Sequence, residues 1–284
     1  MKKLISAIIA LTASIFTTHA AVAALQPDTL CLQGSVGKLF AVIDRPSESP
    51  QPLPLVIIAH GFNDSGLGAF PSSISQSIVR QGMATLRFDF NAHGRSEGEF
   101  KNMTVLNEIA DLKSVIAWAQ QQPWVKDIAL VGHSQGGVVV SMTAGELGYP
   151  TIKAEVLLAP AAVLRDDALR GNTMGAFYDP WNFQDEYVEL PHFPGSRALQ
   201  LGKNYIESAI KLPIYETAAQ YDGPALIVHG MQDRVVPYTY AERYHEKLKN
   251  SRLQLIPTDN HMFTETTQST PTLVAEWLKS TLSE

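Results

Sequence analysis

Val131-Gly132-His133-Ser134-Gln135-Gly136-Gly137 is the stretch on which the fold turns. The apolar run 128–131 predicts a buried strand, and 138–147 predicts a helix rich in small residues. A Gly-x-Ser-x-Gly set between strand and helix holds its serine in a sharp turn with the hydroxyl exposed. Glycines flank it because a Cβ there would collide with neighbouring backbone. The five-residue pattern is weak alone, and the strand and helix around it carry the reading. Ser134 is the candidate nucleophile.

Outward from this turn, apolar runs bounded by turn residues recur at 55–59, 84–88, 128–131, 155–158, 225–229 and 253–256. Helix-length segments alternate with them, the rhythm of a mostly parallel sheet covered by helices on both faces. The expected class is α/β. Such sheets bind ligands on loops beyond the carboxyl ends of their strands. Three of these loops carry suitable chemistry: His60-Gly61-Phe62-Asn63, Gly230-Met231-Gln232-Asp233 and Pro257-Thr258-Asp259-Asn260-His261. Ser134, Asp233 and His261 follow the chain order of the α/β-hydrolase triad.

Each role has a physical reason. A serine hydroxyl is a weak nucleophile near neutrality, so a base must take its proton during attack. Imidazole titrates in the right range, which suits His261; Asp233 would accept the other ring N–H and fix the tautomer. The tetrahedral intermediate needs donors for its oxyanion, and the backbone N–H groups of Phe62 and Gln135 are the candidates. Other histidines fit less well. His19 lies in the N-terminal apolar segment, His60 and His229 end strands as structural groups, and His93 precedes the serine. His133 is the variable residue of the turn and points away from the hydroxyl; His192 lies in an irregular insert and His245 on a charged helical face. Among the acids, Asp222 precedes its strand, Asp259 suits loop structure, and Asp89 suits holding a turn.

The chain has 284 residues, a formal net charge of -6 and one cysteine. The charge provides no basic footprint for nucleic acid. Cys31 forms no intrachain disulfide and is expected half-buried in a first strand. Met1-Lys2-Lys3, the apolar stretch 4–16 and Ala21-Val22-Ala23 read as a signal peptide over 1–23. Export to the periplasm or the medium is therefore expected. Residues 24–284 suffice for one α/β domain. No later run reaches the length of a membrane span, so no stable membrane anchor is expected. No metal-ligand cluster is present, and no cofactor is expected.

The segment 160–213 lacks clear periodicity and carries Phe177, Tyr178, Trp181, Phe183, Tyr187, Phe193 and Tyr205 among several prolines. A connection that long is a functional lid or a disordered segment, and its aromatics argue against disorder. It reads as a small cap over the serine, its rings partly packing the cap and partly lining an acyl pocket. Taken singly, each ring also fits plain packing.

Several stretches resemble the cinnamoyl (feruloyl) esterases, α/β-hydrolases with a small inserted cap. They include His60-Gly61-Phe62, Phe88-Asp89-Phe90-Asn91-Ala92-His93-Gly94, Asn102-Met103-Thr104-Val105, Leu158-Ala159-Pro160-Ala161-Ala162 and Asp167-Ala168-Leu169-Arg170-Gly171-Asn172-Thr173. The resemblance covers nearly all of 24–284. It implies a serine carboxylesterase acting on hydroxycinnamate esters, either small aromatic esters or feruloylated saccharides, with a place in plant cell-wall degradation. It also implies Ser134, Asp233 and His261 as the triad and Phe62 and Gln135 as the oxyanion donors. Asp167 and Tyr205 match positions that reach the hydroxyls of the phenolic ring. Met174 stands where the family often has Gln, which would make one side of the ring site more apolar. Two other functions fit the same residues. A short-acyl carboxylesterase or monoacylglycerol lipase would share the triad without the aromatic pocket. A non-catalytic binding protein ordinarily lacks a triad member, and here all three are present. A dehalogenase would need a carboxylate at position 134.

Overall fold

The central strands are apolar on both faces, so they are buried by helices on either side. The computed structural model describes residues 28–47, 52–192 and 198–283. The expected signal peptide lies outside the described residues, as do Phe193 and Pro194. The core elements begin with β1 (Asp28–Gln33), β2 (Lys38–Asp44), β3 (Leu53–Ala59), α1 (Ala69–Arg80), β4 (Ala84–Phe88) and α2 (Val105–Gln120). They continue through β5 (Val125–His133), α3 (Gln135–Leu147) and β6 (Ala154–Leu158). An insert follows, containing α4 (Val163–Arg170), β7 (Asn172–Thr173), β8 (Ala176–Phe177), β9 (Tyr187–Glu189), β10 (Gln200–Gly202) and α5 (Lys203–Lys211). The chain then returns through α6 (Ile214–Ala218), β11 (Ala225–Gly230), α7 (Thr239–Lys247), β12 (Ser251–Ile256) and α8 (Ser269–Leu282).

Eight strands form one sheet in the order β1-β2-β4-β3-β5-β6-β11-β12. Only the β1–β2 and β2–β4 pairs are antiparallel; β4 through β12 run parallel. Alternation in the strands feeds two cores. Leu55 and Ile57 of β3 join Leu130 of β5 on one face, while Val56, Ile58, Ala129 and Val131 join the other. Burying each such Val, Leu or Ile contributes roughly 1.5–3 kcal/mol. The parallel run places the ends of β3, β4, β5, β6, β11 and β12 along one edge, and the loops there face one another.

Some expectations need correction. Cys31 is exposed, not half-buried: β1 is an edge strand, and Leu32 takes the inward position. α3 starts at Gln135, three residues before the apolar periodicity, because its first turn is Gln-Gly-Gly. The aperiodic insert contains two helices and two short antiparallel ladders, β7–β8 and β9–β10. Its strands are only two or three residues long, too short for any alternation to register. Of its rings, Tyr205 is buried, whereas Phe177 and Trp181 are 79% and 78% exposed.

α3, which follows the serine, is seated against α6 by backbone contact. A Cβ on Gly145 would lie 2.0 Å from the Thr217 carbonyl oxygen, closer than any real contact allows. Gly145→Ala should destabilise the fold by about 1–3 kcal/mol, the usual cost of overpacking. Thermal unfolding of the purified variant measures it as a Tm several degrees lower.

Candidate active site

β5 ends at His133 and α3 begins at Gln135, so Ser134 alone reverses the chain. Its φ of 54° lies in the left-handed region, a conformation that costs a non-glycine residue on the order of 1–3 kcal/mol. The surroundings hold it there. The Ser134 N–H donates to the Leu158 carbonyl at 2.9 Å, and its own carbonyl accepts from Gly137 and Ala161 at 2.9 and 3.0 Å. A Cβ on Gly132 would lie 2.2 Å from the Gly136 carbonyl oxygen, and one on Gly136 would lie 2.4 Å from that of His60. Both glycines are therefore required by close backbone approach.

The sheet edge brings Asp233 and His261 to this serine. The Ser134 hydroxyl donates to His261 Nε2 at 3.0 Å, and His261 Nδ1–H donates to Asp233 Oδ2 at 2.7 Å. The Asp233 side chain is fully buried. Its other oxygen accepts the N–H groups of Val235 and Val236, each at 2.8 Å. Burial by itself would raise the Asp233 carboxyl, but bonds from His229 and His261, the nearby imidazole and the Val236 N–H together hold it below its ordinary value. Hydroxyl, imidazole and carboxylate in this line supply a nucleophile, its base and the group that orients the base.

The loop after β3 passes directly over the serine. A Cβ on Gly61 would stand 3.1 Å from Ser134 Cβ, which places Phe62 beside the reacting position. Gln135 opens α3, where backbone N–H groups point outward at the positive end of the helix dipole. Among the described residues, neither the Phe62 nor the Gln135 N–H has a protein acceptor.

Two neighbouring histidines support the relay, and sequence reasoning missed both connections. His133 Nε2–H donates to the His261 carbonyl at 2.9 Å. Burial pushes its imidazole down to about 3, so the ring is neutral. His229 shares its Nε2–H between Asp233 Oδ2 at 3.1 Å and the Val236 carbonyl at 2.9 Å. Nothing in a strand-ending His-Gly pair announces that contact. His60 is structural: its Nδ1–H donates to the Gly61 carbonyl, and Nε2 accepts the Phe90 N–H at 3.1 Å. His93 Nδ1–H is taken by the Asn91 carbonyl. Asp89 receives the N–H groups of Gly66 and Arg95, and Asp259 those of Asn260 and Glu265. Both acids hold loops.

The insert residues separate. Asp167 on α4 is a third exposed and lies 3.6 Å from Arg170. Burial raises its carboxyl, and Arg170 opposes the rise. Tyr178, in the same neighbourhood, shares a 2.6 Å hydrogen bond with the Thr173 hydroxyl. Met174 is 52% exposed at the tip of the β7–β8 hairpin, where it and Gly175 have φ of 51° and 85°. Tyr205 requires a correction. It is 1% exposed, and its hydroxyl donates to Gln135 Oε1 at 2.7 Å. Its proton is given to the elbow, so toward a ring hydroxyl it could act only as an acceptor. Beyond the Phe62 loop lies an open cavity of about 720 Å³, bordered by Asn63, Asp64, His93, Phe100, Lys101 and Gln200.

Comparison with known proteins agrees with this fold. A family model described as serine aminopeptidase, S33, matches residues 50–177, and one described as alpha/beta hydrolase fold matches 194–266. The solved structure of Est1E from Butyrivibrio proteoclasticus with ferulic acid bound is 31% identical with a TM-score of 0.83. The match covers 90% of this chain and 100% of that one. A monoacylglycerol lipase of Mycolicibacterium smegmatis is 25% identical over 232 residues, covering 71% of this chain and 78% of that protein. An uncharacterized 31.7 kDa protein of Escherichia coli is 28% identical over 212 residues, covering 65% and 74%. The chain belongs to the α/β-hydrolase family, among its esterases. It is a serine hydrolase acting on carboxylic esters.

His133→Phe keeps a ring against Phe70 and Phe263 but removes the hold on the His261 main chain. A hydrogen bond is worth about 0.5–1.5 kcal/mol net. We therefore expect kcat to fall roughly two- to tenfold with KM little changed, read from steady-state ester hydrolysis.

Proposed function

We propose that this chain hydrolyses hydroxycinnamate esters through an acyl-enzyme on Ser134. The observation that carries the chemistry is the unbroken line from Ser134 Oγ through His261 to the buried Asp233 carboxylate. Ser134 Oγ attacks the ester carbonyl carbon while its proton passes to His261 Nε2. Asp233 keeps Nδ1 protonated and stabilises the imidazolium. The Phe62 and Gln135 N–H groups receive the carbonyl oxygen as it becomes an oxyanion; losing one such donor costs on the order of a hundredfold or more. The tetrahedral centre collapses, the C–O bond to the alcohol breaks, and the alcohol leaves with the proton from Nε2. Water, deprotonated by the same nitrogen, then attacks the acyl carbon and releases the acid and Ser134.

The likeness to a structure holding ferulic acid supports an aromatic acyl group. Asp167, a third exposed on α4, is the insert carboxylate that this reading assigns to a ring hydroxyl. A site that bonds a hydroxyl discriminates against esters lacking it, because its polar group is then left unpaired. The mycobacterial lipase relative supports a second reading, a lipase or short-acyl esterase on the same triad.

Ser134→Ala should abolish fluorophosphonate labelling and nearly all turnover; labelling retained at another serine would overturn the assignment. Asp233→Asn should lower kcat by about 10⁴, because the wrong imidazole tautomer is then favoured. Methyl ferulate should exceed 4-nitrophenyl butyrate and a monoacylglycerol in kcat/KM, and the reverse order would favour the second reading. Asp167→Ala should lower kcat/KM for ferulate and caffeate esters more than for the unsubstituted cinnamate. An equal loss on all three would remove Asp167 from the ring site. We further propose export with cleavage near Ala23, on the strength of the N-terminal sequence pattern. N-terminal sequencing of the exported protein tests this, and a retained Met1 would contradict it.

A further inference from the structure

Gln135 follows the nucleophile, and its side chain is 3% exposed. A buried primary amide has one acceptor and two N–H donors to satisfy, and an unpaired one is costly. All are partnered. Tyr205 O–H donates to Oε1 at 2.7 Å; Nε2 donates to Glu108 Oε2 at 2.8 Å and lies 3.7 Å from Met103 Sδ. Both oxygen partners are themselves 1% exposed. They come from different parts of the molecule: Glu108 from α2 in the core, Tyr205 from α5 in the insert. The Tyr205 ring also meets the Phe62 ring edge-on at 6.1 Å. One side chain of the insert therefore touches both residues whose N–H groups flank Ser134.

We infer that Tyr205 and Glu108 are positioning residues of the oxyanion hole, gripping the Gln135 side chain from two sides and thereby fixing its backbone N–H beside Ser134. The inference deepens the proposed function and rests on its assignment of Ser134 and Gln135. A free glutamine side chain samples several rotamers. Anchored at both ends, it ties the first turn of α3 to α2 and α5, and Tyr205 seats Phe62 against the same anchor. Oxyanion donors act through preorganisation, so a small loss of aim weakens the transition state while leaving ground-state binding intact. Burial pushes the Glu108 carboxyl up to about 8, so it is neutral at pH 7 and brings no negative charge beside the oxyanion.

The test uses the full chain and three variants: Tyr205→Phe, Glu108→Gln and Glu108→Leu. Tyr205→Phe removes one O–H and keeps the ring. Its kcat should fall about tenfold, the loss expected for one well-made hydrogen bond, with KM for methyl ferulate within about twofold. The Ki of a trifluoromethyl ketone, which forms a tetrahedral adduct with the serine, should rise by the same factor. 4-Nitrophenyl acetate, which has no aromatic acyl group, should lose as much. Glu108→Gln keeps the oxygen that accepts from Gln135 and should stay within about threefold of the parent. Glu108→Leu should match or exceed the Tyr205→Phe loss. Should Glu108→Leu not fold, judged by circular dichroism, Tyr205→Phe and the Glu108→Gln rescue decide the matter. A KM increase confined to methyl ferulate would make Tyr205 a substrate contact and overturn the inference. A lower Tm with unchanged kcat and ketone Ki would reduce the network to plain packing and also overturn it. Failure of the Ser134 assignment shows separately, as fluorophosphonate labelling that survives Ser134→Ala.

Discussion

The structure depends on a lack of room where β5 gives way to α3. The chain must reverse within one residue, with helix, β3 loop and β6 loop all pressed against it. Gly132 and Gly136 are the positions where a side chain would drive into backbone oxygens at 2.2 and 2.4 Å. Ser134 sits between them at a positive φ that it would not adopt in isolation. Hydrogen bonds from the β6 side, at Leu158 and Ala161, close the arrangement. The strain is held by the sheet, and its product is a hydroxyl raised above the strand ends. Asn63, Ala92, Ala159 and Phe263, on neighbouring strand-end loops, share the positive φ. Backbone strain gathers along the edge that carries the chemistry, as is common at functional sites.

Around that turn the protein uses buried neutral histidines as fixtures. Burial pushes His60 and His93 down to about 4 and His133 to about 3. At neutral pH each ring therefore offers one N–H donor and one acceptor, and no charge. His60 joins the β3 and β4 loops through Gly61 and Phe90. His133 joins the elbow to the His261 loop. A charged ring in either place would meet a desolvation penalty and change the field at the site. The carboxylate is treated in the opposite way: Asp233 is surrounded by donors that favour its ionised form.

A buried tyrosine of the insert meets the catalytic edge. Tyr205 spends its hydroxyl on Gln135 and its ring on Phe62, while Phe177 and Trp181 remain in solvent. The insert is tied to the elbow by the Tyr205 side chain and, at its start, by the Ala161 N–H on the Ser134 carbonyl.

The sequence by itself determined the α/β class, the place of the nucleophile and the chain order of its partners. These are local facts: apolar runs of strand length, glycines beside a serine, and acid and histidine on loops after strands. The strand runs near 84–88 and 225–229 match β4 and β11 almost residue for residue, because strands buried on both faces read as unbroken apolar stretches. What only the tertiary structure decided are the partners of side chains far apart in the chain. His133 and the His261 carbonyl are 128 residues apart, and Tyr205 and Gln135 are 70 apart. The family resemblance assigns Tyr205 to a ring hydroxyl, and no local pattern in an aperiodic insert announces its bond to Gln135. Cys31 was misjudged because inward and outward positions on an edge strand depend on which neighbour covers it. Periodicity records which face is buried, and hydrogen-bond partners across the molecule leave no such record; they are set by how the layers close over one another.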